Sequence, residues 1–467
     1  MSVLLNRPRR GSPPSRARLL AAVAALFTFD GAVFGSWAAR IPDVTTQVGA
    51  SHTTLGLALL CVSIGALASM QLAGTLCARL GVGLVATASA LLICVAVILP
   101  GLARTLPELA AALLAFGAAT GAVNVAANSA GVRIEAAGNR TIMPGLHAAF
   151  SFGGLVGAAL GGLASGLGPV APHLLVVAGV GLLLTAVIAP VLIGGDVQQR
   201  AADSGGVERA DALADRPEPR RTTTAPRRLL VVLGLIAGCT AYGEGAITDW
   251  GALHLRETLA ATPAVAAAGY AAFSLAMACG RLVGGRLVRA FGATHVLVYG
   301  SVLAATGMLA AAFAPAVAVA LVGFALVGLG LANVFPLAIA RAGLLGGSKG
   351  VALASTVGYT GLLGGPPLIG LIVGGVGLPA ALATVSLLAA VAAGLSLYAT
   401  PQRALLHARL ADALDVGAEQ TVPGLHPAAA RHRPRVRRWA DDLAILGPAG
   451  GPGLDRGLTP LTALYLR

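Results

Sequence analysis

The sequence predicts an all-α membrane protein of twelve transmembrane helices in two pseudo-symmetric six-helix bundles. Three observations carry that prediction. Only 11% of the 467 residues are charged and 56% are hydrophobic, against about 25% charged in ordinary soluble domains. Apolar runs of bilayer-spanning length, about 20 residues, recur at 18–39, 53–73, 82–102, 107–133, 142–165, 171–193, 229–250, 264–284, 293–313, 316–341, 349–373 and 379–399. Arg residues fall overwhelmingly between alternate runs, as the positive-inside bias of membrane insertion requires.

The same composition excludes other classes. Mean hydropathy of +0.82 leaves too little polar surface for a soluble enzyme or a disordered chain. The 63 glycines show no collagen period and suit close packing of membrane helices. The net charge of +13 is a topology signature, not a nucleic-acid signal. With both termini cytoplasmic, 29 of the 32 basic residues lie on the cytoplasmic side, and only Arg40, Arg104 and Arg256 fall outside. The five cysteines, Cys61, Cys77, Cys94, Cys239 and Cys279, form no CxxC and read as small hydrophobes. No P-loop, GxSxG, HExxH or metal-spaced His/Cys cluster occurs, so neither ATP-driven chemistry nor a catalytic or cofactor site is expected.

Along the chain, residues 1–17 form a cytoplasmic tail with Arg7, Arg9, Arg10 and Arg16. The first run resembles a signal peptide, but Asp30 interrupts it and eleven runs follow, so an uncleaved helix is expected. Residues 18–193 form the first bundle. Residues 194–228, rich in Arg, Asp, Ala, Pro and Thr without apolar period, are expected to be a flexible cytoplasmic linker. Residues 229–399 form the second bundle. Residues 400–467 are a basic, disordered tail containing Arg431, Arg433, Arg435, Arg437, Arg438 and Trp439, suited to anionic lipid heads.

The bundles repeat each other. Asp30-Gly31-Ala32-Val33 in the first run matches Glu244-Gly245-Ala246-Ile247 in the seventh, with Trp37 and Trp250 following. Gly74-x-Leu76-x-x-x-x-Gly81 matches Gly285-x-Leu287-x-x-x-x-Gly292, and Gly121-x-x-Asn124-Val125 matches Gly330-x-x-Asn333-Val334. The matches keep their order, at offsets of 214, 211 and 209.

Two parallel six-helix repeats joined by a cytoplasmic loop resemble the major facilitator superfamily. The segments from Asp30 to Arg40, Asn124-Val125-Ala126-Ala127-Asn128, His147-Ala148-Ala149-Phe150-Ser151, Glu244 to Trp250 and Gly364-Gly365-Pro366-Pro367 are similar to its bacterial sugar-permease-like (fucose-permease-like) subgroup. The resemblance spans about residues 15–400. It implies a multi-pass transporter of the cytoplasmic membrane working by alternating access, with helices 1, 4, 7 and 10 around a central site. The superfamily's Gly-rich loop after helix 2 usually carries an acid paired with Arg. This chain has Ala78 there, beside Arg79.

Ionisable groups at bilayer depth are costly and need a partner, a wet cavity or a role. Between 258 and 400 there is no Asp or Glu, so Glu244 and Asp249 are the second bundle's membrane acids. Asp30, Phe34 and Trp37 share one stripe of helix 1, where a carboxylate beside aromatic faces can hold a polyhydroxylated or cationic ligand or carry a proton. Glu244 is the equivalent acid of helix 7. Asp249 is read, with Trp250, as interfacial anchoring. Asn124 with Asn128, and His147 with Ser151, are i, i+4 pairs on helices 4 and 5. Asn333 follows the same logic on helix 10. These are the candidate substrate and proton pathway. Arg79, Tyr359, Pro366 and Pro367 are gating candidates, the prolines being expected to interrupt helix 11. The expected activity is secondary transport of a small polar solute, sugar-like for preference and proton-coupled, by a monomer with the solute, protons and the bilayer as partners. The rival is a proton-driven exporter of drugs or metabolites, disfavoured by the lack of a GPxxGG-like element in helix 5. A non-transporting sensor and a polytopic membrane enzyme stand further off.

Overall fold

The computed structural model describes residues 14–136, 142–210 and 227–399. The tail after residue 399, most of the N-terminal tail and part of the 194–228 segment lie outside them. The described residues hold eleven helices long and apolar enough to cross a membrane. One of them, Pro263–Ala312, has 50 residues, about 75 Å of helix against a hydrocarbon core of about 30 Å. It turns at Gly292, whose φ of 78° and ψ of 150° are non-helical. It is therefore two crossings, and the described residues make twelve.

In order these are α1 (Arg16–Val48), α2 (His52–Leu80), α3 (Val82–Leu102), α4 (Leu106–Ala136), α5 (Met143–Ser165) and α6 (Val170–Asp196). The second half has α7 (Arg227–Glu257), α8 (263–291), α9 (293–312), α10 (Val317–Gly346), α11 (Leu353–Val376) and α12 (Leu378–Tyr398). We call the face carrying the start of α1 and the end of α12 the near face, and the opposite one the far face. Gly81, with φ 103° and ψ 149°, turns the chain between α2 and α3 as Gly292 does between α8 and α9. The two glycines match in the internal repeat, so the repeated motif encodes a repeated left-handed turn that only Gly adopts without strain.

Several expectations change. The helix of α6 runs on to Ala210, well into the segment expected to be unstructured from residue 194. Pro366 and Pro367 do not interrupt α11; both lie inside a continuous helix. The carbonyl of Leu362, which loses its partner to Pro366, accepts instead from Ser63 Oγ of α2 at 3.2 Å. The true interruption is at Asn333, where a turn splits α10. Trp250 is not an interfacial anchor. It is fully buried, beneath the crossing of α2 and α11, where Gly56 and Gly370 bring the backbones together.

Glycines set the closest approaches. A Cβ on Gly31 or Gly35 would run into the backbone of α5, and one on Gly153 or Gly157 into that of α1. Gly65 and Gly117 do the same for α2 and α4, and Gly361 with Gly238 for α11 and α7. Small residues let membrane helices pack by dispersion where no hydrophobic force acts between them.

Candidate functional site

Two carboxylates lie mid-helix in α1 and α7. Asp30 is 4% exposed, and its Oδ1 is buried with no hydrogen-bond partner. One turn on, Phe34 packs between Phe116 of α4 and Phe150 of α5, at centroid distances of 5.9 Å each. Trp37 continues the stripe onto Phe116. Trp37 and Phe116 are buried, while Phe34 and Phe150 stay partly accessible. One turn before Asp30, Phe27 meets the ring of His147 edge-on at 5.4 Å. Aromatic rings of α1, α4 and α5 thus cluster within a turn or two of Asp30 along α1, an environment suited to a cation, a sugar ring or a neutralising proton.

Glu244 is held differently. Its Oε1 lies 3.7 Å from Arg281 Nη2 of α8, while Arg281 Nη1 donates to Ser151 Oγ of α5 at 3.3 Å. Arg281, which falls within the apolar run 264–284, sits inside α8, with its side chain 17% exposed. Asn128 Nδ2 donates to the backbone of Asn124 at 2.8 Å, with Asn124 Oδ1 at 3.4 Å, and both side chains keep partial access. Asn333 Nδ2 donates to the Gly280 carbonyl at 2.9 Å, so it ties α10 to α8. Tyr359 lines a small cleft with Ser63, Met70 and Leu362 between α2 and α11. Arg79 is exposed in the last turn of α2, where a cation complements the helix dipole. The acid missing at Ala78 has a counterpart in space. Asp196, from the end of α6, accepts from the Val82 N–H at 3.1 Å and pairs with Arg133 of α4 at 2.8 Å.

The far face carries a cluster that sequence reading did not single out. Asp43 of α1 accepts from Arg256 of α7 at 2.6 Å and from Ser165 of α5 at 2.5 Å, and it faces Arg40 Nε at 3.1 Å. Arg40 is fully buried and donates to the Gly168 carbonyl at 2.7 Å. At the same end, His52 of α2 meets Glu257 of α7 at 2.8 Å. Side chains of the two halves are thus bonded to each other at this end.

A sequence model of the Major Facilitator Superfamily matches residues 20–342. The chain belongs to this superfamily. It is 33% identical over 353 residues to an uncharacterised MFS-type transporter of Yersinia pestis, covering 74% of this chain and 86% of the relative. It is 32% identical over 372 residues to the membrane protein MosC of Rhizobium meliloti, covering 79% and 87%. Among solved structures, a bacterial homologue of the human lysosomal transporter Spinster, inward-facing and occupied, superposes with a TM-score of 0.60 at 14% identity, covering 84% of this chain and 98% of that one. The nucleoside transporter NupG, solved as a point mutant, gives 0.62 at 12% identity, covering 82% and 100%. At these identities the structural likeness is one of fold. As an MFS transporter, the chain is a multi-pass membrane protein that carries a small molecule.

Proposed function

We propose that this MFS transporter moves a small polar solute, sugar-like for preference, across the bacterial cytoplasmic membrane, with proton movement as the driving force. The observation that carries the reading is the pair of mid-helix carboxylates at equivalent places in the repeat: Asp30, buried without a hydrogen bond on Oδ1, and Glu244, loosely paired. A buried carboxylate without a bonded cation is costly when charged and cheap when protonated. Asn124, Asn128 and Ser151 supply hydrogen-bonding groups, and Phe34 and Phe150 supply ring faces for a sugar-like solute. Alternating access follows if the two six-helix halves move as bodies about this level. The Arg distribution supports cytoplasmic termini, which makes the far face the outer one, bonded shut in the state described. The chain works in this reading as a monomer.

The test is uptake into energised right-side-out vesicles with and without a proton gradient, screened over sugars, organic acids and amines. Asp30→Asn and Glu244→Gln are expected to lower gradient-driven accumulation at least tenfold and to leave solute counterflow measurable. Unchanged accumulation in both variants would refute the coupling. Proton-dependent accumulation only in inverted vesicles would favour the rival reading, a proton-driven exporter.

A further inference from the structure

At the far end of the first half, a buried cation leaves most of its hydrogen-bonding capacity unused. Arg40 of α1 is fully buried. Its Nη2 donates to the Gly168 carbonyl at 2.7 Å. Its Nε stands 3.1 Å from Asp43 Oδ2 without forming a hydrogen bond, and its Nη1 has no partner among the described residues. His173, in the first turn of α6, has both ring nitrogens buried and likewise without a partner. It lies within electrostatic range of Arg40. A Cβ on Gly161 of α5 would sit 2.8 Å from Ala39 Cβ and 3.4 Å from His173 Cε1. The imidazole is thus held close to the residue that precedes Arg40.

Donors left unmet in an interior are costly, more so when charged, and native structures meet them. The acceptors nearby are already engaged. The Gly168 carbonyl takes Nη2 of Arg40 itself, and Asp43 divides its oxygens between Arg256, Ser165 and Arg40. Two guanidinium groups therefore share one carboxylate. Glu257, a further acid at this end, pairs with His52 and is 42% exposed, where water screens its charge. Nη1 presents N–H donors only, and the imidazole presents at least one in either tautomer. A water molecule would have to donate as well as accept, and it would leave the positive excess uncompensated. A small monovalent anion accepts from every one of these donors and supplies the missing charge. A doubly charged anion would exceed that excess, and stripping its water costs more. Residues 166–168 of the turn between α5 and α6 are exposed, which gives an ion a route in from the far side.

We propose that Arg40 and His173 form a binding site for a small monovalent anion of the halide class at the outer end of the first half. Arg40 Nη1 and one nitrogen of His173 donate to the ion, which joins α1 to α6 and balances the Arg40 charge. Both residues come from the same half, so the ion is a resident of that half and not the transported solute. The site stands apart from Asp30 and Glu244 and does not depend on how they are used.

The experiment uses the full chain in detergent, exchanged into gluconate and titrated with chloride at constant ionic strength. Equilibrium binding of radiolabelled chloride is expected to saturate at a single ion per chain, with bromide competing, and the melting temperature to rise over the same range and level off. His173→Ala should weaken chloride binding about tenfold, the order of effect for one hydrogen bond to a charged group. Arg40→Gln should abolish it, and if that variant does not fold, His173→Ala decides alone. Arg104→Gln, at an exposed arginine of the same face, should bind chloride as the wild type does. Absence of saturable binding in the wild type overturns the proposal. So does binding that His173→Ala leaves unchanged, which would make the chloride an adventitious ion only.

Discussion

Replacing Asp43 by Asn tests the far-face cluster most directly. Asp43 is the carboxylate on which Arg40, Arg256 and Ser165 converge, at 3.1, 2.6 and 2.5 Å. Arg40 is fully buried, whereas the Arg256 side chain is 31% exposed. The two pairs therefore differ in worth. Breaking a buried pair strands a charge and costs about 3–5 kcal/mol. A partly exposed pair contributes about 1 kcal/mol or less. Asp43→Asn should therefore cost about 4 kcal/mol, nearly all of it from Arg40. Arg256→Gln should cost about 1 kcal/mol, which shifts a two-state equilibrium between closed and open far faces about fivefold. Exchanging both Arg40 and Asp43 for Leu removes the stranded charge and should recover much of the loss. Thermal melting of the purified variants in one detergent gives the ranking: Asp43→Asn lowest by a wide margin, Arg256→Gln near wild type, the Leu pair between them. Equal losses in Asp43→Asn and Arg256→Gln, or a Leu pair below Asp43→Asn, would refute the reasoning.

Three further outcomes follow from the packing. Gly157→Leu should abolish folded yield on size exclusion, because a side chain there runs into the Ala32 backbone, whereas Gly145→Ala, with open space around its Cα, should be neutral or gain up to about 1 kcal/mol in a melt. Ser63→Ala should cost about 1 kcal/mol in the native chain but little in Pro366→Ala, where a restored N–H can take the Leu362 carbonyl. A coupling near zero in that double-mutant cycle would remove the account of the continuous α11. Asp196→Ala should destabilise by about 1–3 kcal/mol, having lost both the Val82 N–H and Arg133, whereas Asp196→Asn keeps an acceptor for Val82 and should lose less, both read as melting temperatures.

What could be read from the sequence follows from the range of the interactions. The helices are written in runs of consecutive apolar residues, a local property, and Asp30 and Glu244 stand out because a lone acid in such a run is expensive anywhere. The partners are not local. Asp43 and Arg256 are 213 positions apart, and His52 and Glu257 are 205 apart, so no spacing rule connects them. Arg281 is within reach of sequence reasoning, since it falls inside the apolar run 264–284, but counting it with the cytoplasmic-side charges hides it. The proline pair misleads for the opposite reason. Its local effect is real, and Ser63 from another helix takes up the freed carbonyl. Asp196 is obscured by its neighbours, because a composition poor in apolar period reads as linker even where the first turns continue a helix.

The glycines place rigidity and freedom in different parts of the molecule. Between α1 and α5, α2 and α4, and α7 and α11, the groups a Cβ on Gly31, Gly153, Gly65, Gly117 or Gly361 would strike are backbone atoms, which have nowhere to go. Helices in such contact move together. α5 also faces the other half through Gly154, and there a Cβ would meet the Ser274 hydroxyl at 3.2 Å and the Tyr270 ring at 3.3 Å, side chains that can rotate. Toward the far end the halves meet rigid atoms: a Cβ on Gly162 of α5 would lie 2.4 Å from Ala267 Cβ and 3.2 Å from the Ala264 Cα of α8, one on Gly56 2.6 Å from the Pro366 carbonyl oxygen, and one on Gly370 2.7 Å from that of His52. At the level of Gly154, one face of α5 is thus fused to its own half while the other rests on rotatable side chains of the partner half. A rocking transporter needs this division, because each half must keep its shape while the seam between them repacks. Gly154→Ala should then slow exchange between states without unfolding the protein, whereas Gly153→Ala, directed at the Thr28 backbone, should unfold it. Counterflow rates set beside melting temperatures separate the two. If Gly154→Ala melts as low as Gly153→Ala, the seam is as rigid as the bundle and the division fails.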